Sequence, residues 1–357
     1  MSAILTIQSH SHTYTVEEFA NLGAILNQYR DRTDALCLVD QSVLTLYEND
    51  FRTALPRERV LVVDATEPQK SFEALTPIFI WLLKNGLRRD GCLLVVGGGV
   101  LQDIGCFIAS VLFRGLRWEL VPTTLLAQCD SCIGSKSSIN IQSYKNQIGT
   151  FYPPHRICLT FDVLRTLPPD EIRSGLGEVI KLHLLTGEKE FEGLMADLEK
   201  LPTDQNVLPK WIKSSLKIKQ VYIEKDEFDK GVRNLLNYGH TFGHAYESAS
   251  HYGIPHGIAV TLGMLTATYV SSKLGWVTPE YFQSLKTRLQ PWYQPFEKTL
   301  QSLDLNAVLS AIKHDKKNTR NSVNCILTRG AGRMEKFGVS LDDQLRPWVA
   351  EFVAGKV

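Results

Sequence analysis

The run Leu93-Leu94-Val95-Val96-Gly97-Gly98-Gly99-Val100 decides the fold class. Four consecutive apolar residues stopped by glycine read as a strand covered on both faces, and a helical period follows from Asp103. Working outward, Ala35-Leu36-Cys37-Leu38-Val39 ends at Asp40 and Val60-Leu61-Val62-Val63 ends at Asp64, each a short apolar run closed by a turn signal. Segments of helical period lie between them, residues 71–83 for example. Strand and helix in alternation predict a doubly wound, mostly parallel sheet. Past residue 171 long helical patterns dominate (171–185, 207–221, 233–248 and 258–274) and β-type runs nearly vanish. Leu167-Pro168-Pro169 breaks any helix, so the predicted division is an α/β domain over 1–168 and an all-α domain over 169–357.

Bulk properties narrow the function classes. At 357 residues two domains are expected, and 44% apolar with 22% charged residues describes a globular protein. A net charge of +1 argues against nucleic acid or an anionic membrane as partner. The strongest apolar run, residues 78–83, is far short of a membrane span. The N-terminal MSAILTIQSHSHTYTVEE has no basic segment leading into a long apolar one, so no secretory signal is expected. Seven dispersed cysteines fit reduced thiols, and Cys129 and Cys132, with no second pair, read as packing residues. The cytoplasm is the expected compartment.

Chemistry concentrates in four places. The three glycines after residue 96 let a ligand approach the backbone, and the helix behind them offers free N–H groups to a pyrophosphate. Residues 121–146 have no clean period yet carry Asp130, Lys136, Asn140, Lys145 and Asn146, a donor-rich lining for phosphate or carboxylate oxygens. Glu178 and Lys181 share a helix face at i, i+3. His240 and His244 share another at i, i+4, with His256 following a turn-rich link, so three of the nine histidines fall close together. Imidazoles at that spacing suggest a metal site that needs a carboxylate, which Glu178 can supply, although such a pair also occurs as ordinary buried polarity. Arg233, Asn237 and Thr241 add polarity to the same segment.

GGGVLQD, VPTTLLAQCDSCIGSKSSIN, KNQIGTFYPP, TLPPDEIRSGLGEVIK, RNLLNYGHTFGH and HGIAV together resemble the sugar phosphate cyclase family, whose central member is 3-dehydroquinate synthase. The resemblance spans about residues 35–340. It implies an N-terminal domain that binds NAD, a helical domain that holds zinc or cobalt, an active site in the cleft between them, and a homodimer. By the same resemblance Glu178, His240 and His256 match the metal ligands, and His244 matches a contact to the substrate phosphate. NAD would draw on Asp40, Glu67, Lys70, Gly98, Gly99, Val100, Asp103, Thr123, Thr124, Lys145 and Thr166. The sugar phosphate would meet Asp130, Lys136, Asn146, Lys181, Lys219, Asp229, Arg233, Asn237, His244 and Lys317, with Arg114 reaching a neighbouring subunit's site. Lys219 and Arg233 match the positions that read a substrate carboxylate. The implied reaction converts 3-deoxy-arabino-heptulosonate 7-phosphate to 3-dehydroquinate by transient oxidation, phosphate elimination, re-reduction and aldol closure.

Four departures mark the chain as divergent within that pattern. Gln102 stands where glycine is usual, Ser135 interrupts a usual Gly-Gly-Lys, Asp229 replaces glutamate, and Ile258 replaces the glutamate of HGEAV. The last removes an acid expected to support His256. The competing expectations are a cyclase of another pathway (acting on sedoheptulose 7-phosphate, glucose 6-phosphate or an amino analogue), a metal-dependent polyol or glycerol-phosphate dehydrogenase, and a non-catalytic scaffold.

Overall fold

The computed structural model describes residues 2–142, 144–201, 204, 206–313 and 322–357. Lys317 lies outside the described residues. The chain forms two compact units, one of Met1–Pro168 with Lys219–Phe228, the other of Pro169–Ile218 with Asp229–Val357.

The first unit is built on strands β1 (Ser2–Ile7), β2 (Tyr14–Glu18), β3 (Ala35–Asp40), β4 (Val60–Val63), β5 (Cys92–Gly97), β6 (Arg117–Pro122) and β9 (Arg156–Leu159). Their order across the sheet is β1-β2-β9-β6-β5-β3-β4, with every pairing parallel except β1 with β2. The apolar runs are fully covered, as parallel strands require: Leu93, Leu94, Val95 and Val96 are all 0% exposed. Registers Asp40↔Val63, Val39↔Val96 and Gly97↔Pro122 bring the strand ends level, so the glycine turn sits at the carboxyl edge of a central strand. A separate hairpin, β7 (Ile139–Ile141) and β8 (Tyr144–Ile148), gives form to the stretch expected to be an irregular loop. Residues 219–228 belong here because they bond to the N-terminal hairpin: Gln220 donates to the Thr6 carbonyl at 2.9 Å, and Glu224 and Glu227 accept from the Gln8 and His10 amides.

The second unit is organised around the helix His256–Lys273, in which every residue from Gly257 to Ser271 is buried. A helix buried all round must satisfy its own hydroxyls, and it does so internally: Thr261, Thr266, Thr268 and Ser271 each donate to the carbonyl four residues back. The unit is not wholly helical. Strands β10 (Ser322–Thr328) and β11 (Met334–Ser340) pair antiparallel. The alternation is hard to read because β11 is mostly exposed and buries only Val339. The pattern expected to run unbroken over 233–248 also divides. A 3-10 turn, Val232–Asn237, is followed by Gly239 at φ 82° and only then by the helix His240–Ala249. No helix among the described residues is long and apolar enough to cross a membrane.

Candidate functional site

In the second unit three helices converge because glycines let their backbones touch. A Cβ on Gly257 would lie 1.7 Å from the Ser174 carbonyl oxygen, and one on Gly177 would lie 2.0 Å from the Gly257 carbonyl. The Ser174 hydroxyl also accepts from the Gly257 amide at 3.0 Å. These contacts set Glu178, one turn beyond Ser174 on the helix Pro169–Thr186, against His256 at the start of its own helix. Likewise a Cβ on Gly263 would lie 2.0 Å from the Gly239 carbonyl, which pins the His240 helix to the same central helix.

The result is a tight cluster. His240 Nε2 and His256 Nε2 lie 3.6 and 3.3 Å from Glu178 Oε1. The ligand atoms of His240, His244 and His256 lie within 4.8 Å of one another. Glu178 is 0% exposed, neither of its oxygens has a hydrogen-bond donor in good geometry, and Lys181 is its ion-pair partner. Burial pushes the Glu178 carboxyl up, but the Lys181 ammonium and His256 outweigh it and hold it well below the usual range. Burial, Lys181 and the two neighbouring imidazoles push His240 well below its ordinary value. Its Nδ1 faces the Tyr238 carbonyl at 3.3 Å, an acceptor, so Nδ1 holds the proton and Nε2 turns a lone pair towards a carboxylate oxygen. Two acceptors facing each other without a proton are what a divalent cation relieves, and the donor set of carboxylate and neutral imidazole suits one.

His256 is held from its other side. Its Nδ1 lies 2.9 Å from Glu247 Oε2. Burial pulls the His256 pKa down, but Glu178 and Glu247 outweigh this and hold it at about 10, so a cation taken at Nε2 would displace a proton from it. Glu247 escaped the sequence reading, although it lies at i+7 from His240 and i+3 from His244 on one helix, a spacing that marks the same face. Beside this cluster in the chain, the Val232–Asn237 turn carries Arg233, only 6% exposed, and Asn237, whose amide donates to the Asn234 carbonyl at 3.0 Å. Asp229 stands at φ 58°, clasped by the Asn234 amide at both its carbonyl and its Oδ1.

In the first unit Gly98 caps the helix Gly99–Val111 without a side-chain bond, so the first-turn amides, that of Val100 included, have no capping side chain. Around that helix lies a polar network. Lys70 Nζ is 3.1 Å from Asp103 Oδ2 and 3.7 Å from Glu67 Oε1, and Lys145 Nζ is 3.4 Å from the same Glu67 oxygen. Burial raises the Asp103 carboxyl to about 6 against the pull of Lys70. Thr123 donates its amide to the Gly97 carbonyl at 3.0 Å and Thr124 Oγ1 accepts from the Ala127 amide at 3.2 Å. Asp40 caps the helix after β3 through Ser42, and Thr166 meets the Tyr47 hydroxyl at 3.2 Å. Lys219 Nζ donates to the Asp130 carbonyl at 2.6 Å and lies 3.1 Å from its Oδ1. Lys136 and Asn146 are exposed, Asn146 at φ 52°. Arg114 is exposed at φ 64°, next to Phe113 at φ 54°, two successive non-glycine residues in the left-handed region.

The 3-dehydroquinate synthase N-terminal model matches residues 60–174 and the C-terminal model residues 175–318. The 3-dehydroquinate synthase of Dictyoglomus turgidum is 37% identical over 335 residues, covering 93% of each chain. This chain belongs to the 3-dehydroquinate synthase family. Two solved structures share the fold: a 2-deoxy-scyllo-inosose synthase complexed with carbaglucose-6-phosphate, NAD+ and Co2+ (TM-score 0.82, 20% identity, 97% of this chain and 99% of that one), and the 2-epi-5-epi-valiolone synthase of Streptomyces hygroscopicus with NAD+ and Zn2+ (TM-score 0.80, 22% identity, 98% and 99%). As a member of the 3-dehydroquinate synthase family, the chain accommodates its departures locally. Ile258 is 0% exposed and packs in the core, while Glu247 meets His256. Gln102 exchanges two bonds with Ser131, donating to its carbonyl at 2.6 Å and accepting from its hydroxyl at 2.8 Å, next to Asp130.

Proposed function

We propose that this protein acts as a 3-dehydroquinate synthase, eliminating phosphate from 3-deoxy-arabino-heptulosonate 7-phosphate with NAD and a divalent ion, zinc or cobalt. The observation that carries the reading is the fully buried Glu178 carboxylate, paired with Lys181 and facing Nε2 of both His240 and His256. When bound, the nucleotide supplies a transient hydride acceptor and the ion supplies Lewis acidity. The chain's own residues do the rest. Glu178, His240 and His256 hold the ion, and Lys181, 2% exposed, keeps Glu178 ionised. The uncapped first-turn amides of the Gly99–Val111 helix, with Glu67, Lys70, Asp103 and Lys145, receive the nucleotide. Lys219 and Arg233 read the substrate carboxylate, and His244 takes the phosphate. Asp130 orients Lys219, and Asp229, Asn237, Lys136 and Asn146 complete the polar lining. Glu247 holds the His256 ring from Nδ1.

The reading includes a homodimer in which Arg114, exposed at φ 64°, reaches the neighbouring subunit's site. Seven free, buried thiols support a reducing compartment such as the cytoplasm.

A phosphate-release screen over keto-acid and neutral sugar phosphates tests the reading, with NAD and metal supplied. Release from the heptulosonate phosphate without net NADH is the expected result. Arg233→Ala should lose roughly 2–5 kcal/mol of that substrate's transition-state binding, as a truncated buried charge contact does. Release from a neutral sugar phosphate alone, or NADH accumulating on an alcohol, would overturn the assignment.

A further inference from the structure

Asn140, on β7, is 6% exposed, and both ends of its side-chain amide are used. Nδ2 donates to Glu67 Oε1 at 2.9 Å, and Oδ1 accepts from the Asn146 amide at 2.9 Å. A carboxylate only accepts and a backbone N–H only donates, so the two partners dictate which way the amide faces. The Asn140 backbone is fixed as well: its carbonyl accepts from the Phe72 amide at 2.8 Å, and a parallel bridge joins it to Ser71. One of its partners, Asn146, stands at φ 52°, a left-handed conformation that asparagine tolerates when something holds it. The neighbouring Lys145 reaches the same Glu67 oxygen at 3.4 Å. The β7–β8 hairpin therefore grips Glu67 twice, once by charge and once by a directional amide.

We propose that Asn140 is a positioning residue that ties the nucleotide site to the sugar phosphate site. The inference rests on the placement of Glu67 and Asn146 in those two sites under the proposed function. A ligand that draws on Glu67 bears on one end of the Asn140 amide, and the other end holds the conformation of Asn146. Asn140 thereby serves both sites from one side chain, each end of its amide through its own bond.

Two substitutions separate the ends. Asn140→Asp keeps an acceptor for the Asn146 amide but removes the donor to Glu67 and sets a second carboxylate against it. Asn140→Ala removes both bonds. In steady-state phosphate release, Asn140→Asp should raise the KM for NAD by about tenfold or more and leave that for the sugar phosphate within about twofold. Asn140→Ala should raise both by about tenfold, with kcat changed less than either. If Asn140→Ala does not fold, Asn140→Asp, which keeps shape and volume, carries the test. Equal movement of both KM values in the two variants, or none in either, would overturn the coupling, since a merely structural role predicts no split between them. Glu67→Gln separates the layers. An unchanged KM for NAD there overturns the placement of Glu67 in the nucleotide site and the coupling with it. A raised one, with unmoved constants in both Asn140 variants, overturns the coupling alone.

Discussion

The two units assemble their functional groups by different means. The histidine cluster stands on helices whose backbones touch at Gly177, Gly257, Gly239 and Gly263, so its geometry is set by main-chain contact that side chains cannot easily relax. The polar network around Glu67 and Asp103 draws on a short turn, a hairpin and one helix, and side-chain bonds between residues distant in the chain hold it. Rigid placement suits a metal ion, whose ligands must meet at one point. A side-chain-bonded network suits a nucleotide, which spreads many contacts over a longer surface. The difference teaches that the first site should fail abruptly when disturbed and the second by degrees.

The sharpest test of that contrast is Glu178→Ala. It should leave metal content, measured by elemental analysis after dialysis, far below one ion per chain and reduce phosphate release on the order of 10³-fold. Near-stoichiometric metal in this variant would remove the cluster's assignment. Next in size is Gly257→Ala. Its Cβ would press on the Ser174 backbone, so chemical unfolding should show a loss of about 3 kcal/mol, with metal affinity falling in step. Unchanged stability would mean that the helices are not pinned as described.

Glu247→Ala is a gentler probe, because it removes the support of His256 rather than one of the proposed ligands. Metal affinity by chelator competition should fall about 10- to 100-fold, and less in Glu247→Gln, which keeps an acceptor for His256 Nδ1. Equal affinities for wild type and Glu247→Ala would show that His256 holds its orientation without this acid.

The smallest effect belongs to the network. Asp103 titrates at about 6 in the folded protein, above the ordinary carboxylate value, so its contribution to stability is fully present below about pH 4 and is lost as pH rises through 6. The stability of wild type relative to Asp103→Asn should therefore decline between pH 4 and 7. A constant difference across that range would indicate an unshifted carboxyl.

Much of this was legible from residues alone. Short apolar runs stopped by Asp or Gly marked the parallel strands, because a strand covered on both faces has no polar positions to interrupt it. The motifs around Gly97, Glu178, His240 and His256 carried the family. Three things were not legible. The break at Gly239 hid inside a helical period, since Arg233, Asn237, Tyr238 and Thr241 keep their spacing whether or not the helix is continuous. The β10–β11 hairpin hid because one strand is exposed along most of its length. The support of His256 was hidden because it comes from Glu247 on the preceding helix and not from position 258, where glutamate is usual.

The sequence by itself determined the strands, the glycine turn, the long helices and the candidate groups for the chemistry, because these depend on local period and residue type. Only the tertiary structure decided which groups meet. Whether Glu178 faces His256, whether Glu247 reaches its far side, and whether Asn140 joins Glu67 to Asn146 depend on how closely separate segments approach. That distance is set by missing side chains at glycine and by hydrogen bonds between residues far apart in the chain. No pattern within a single segment encodes it.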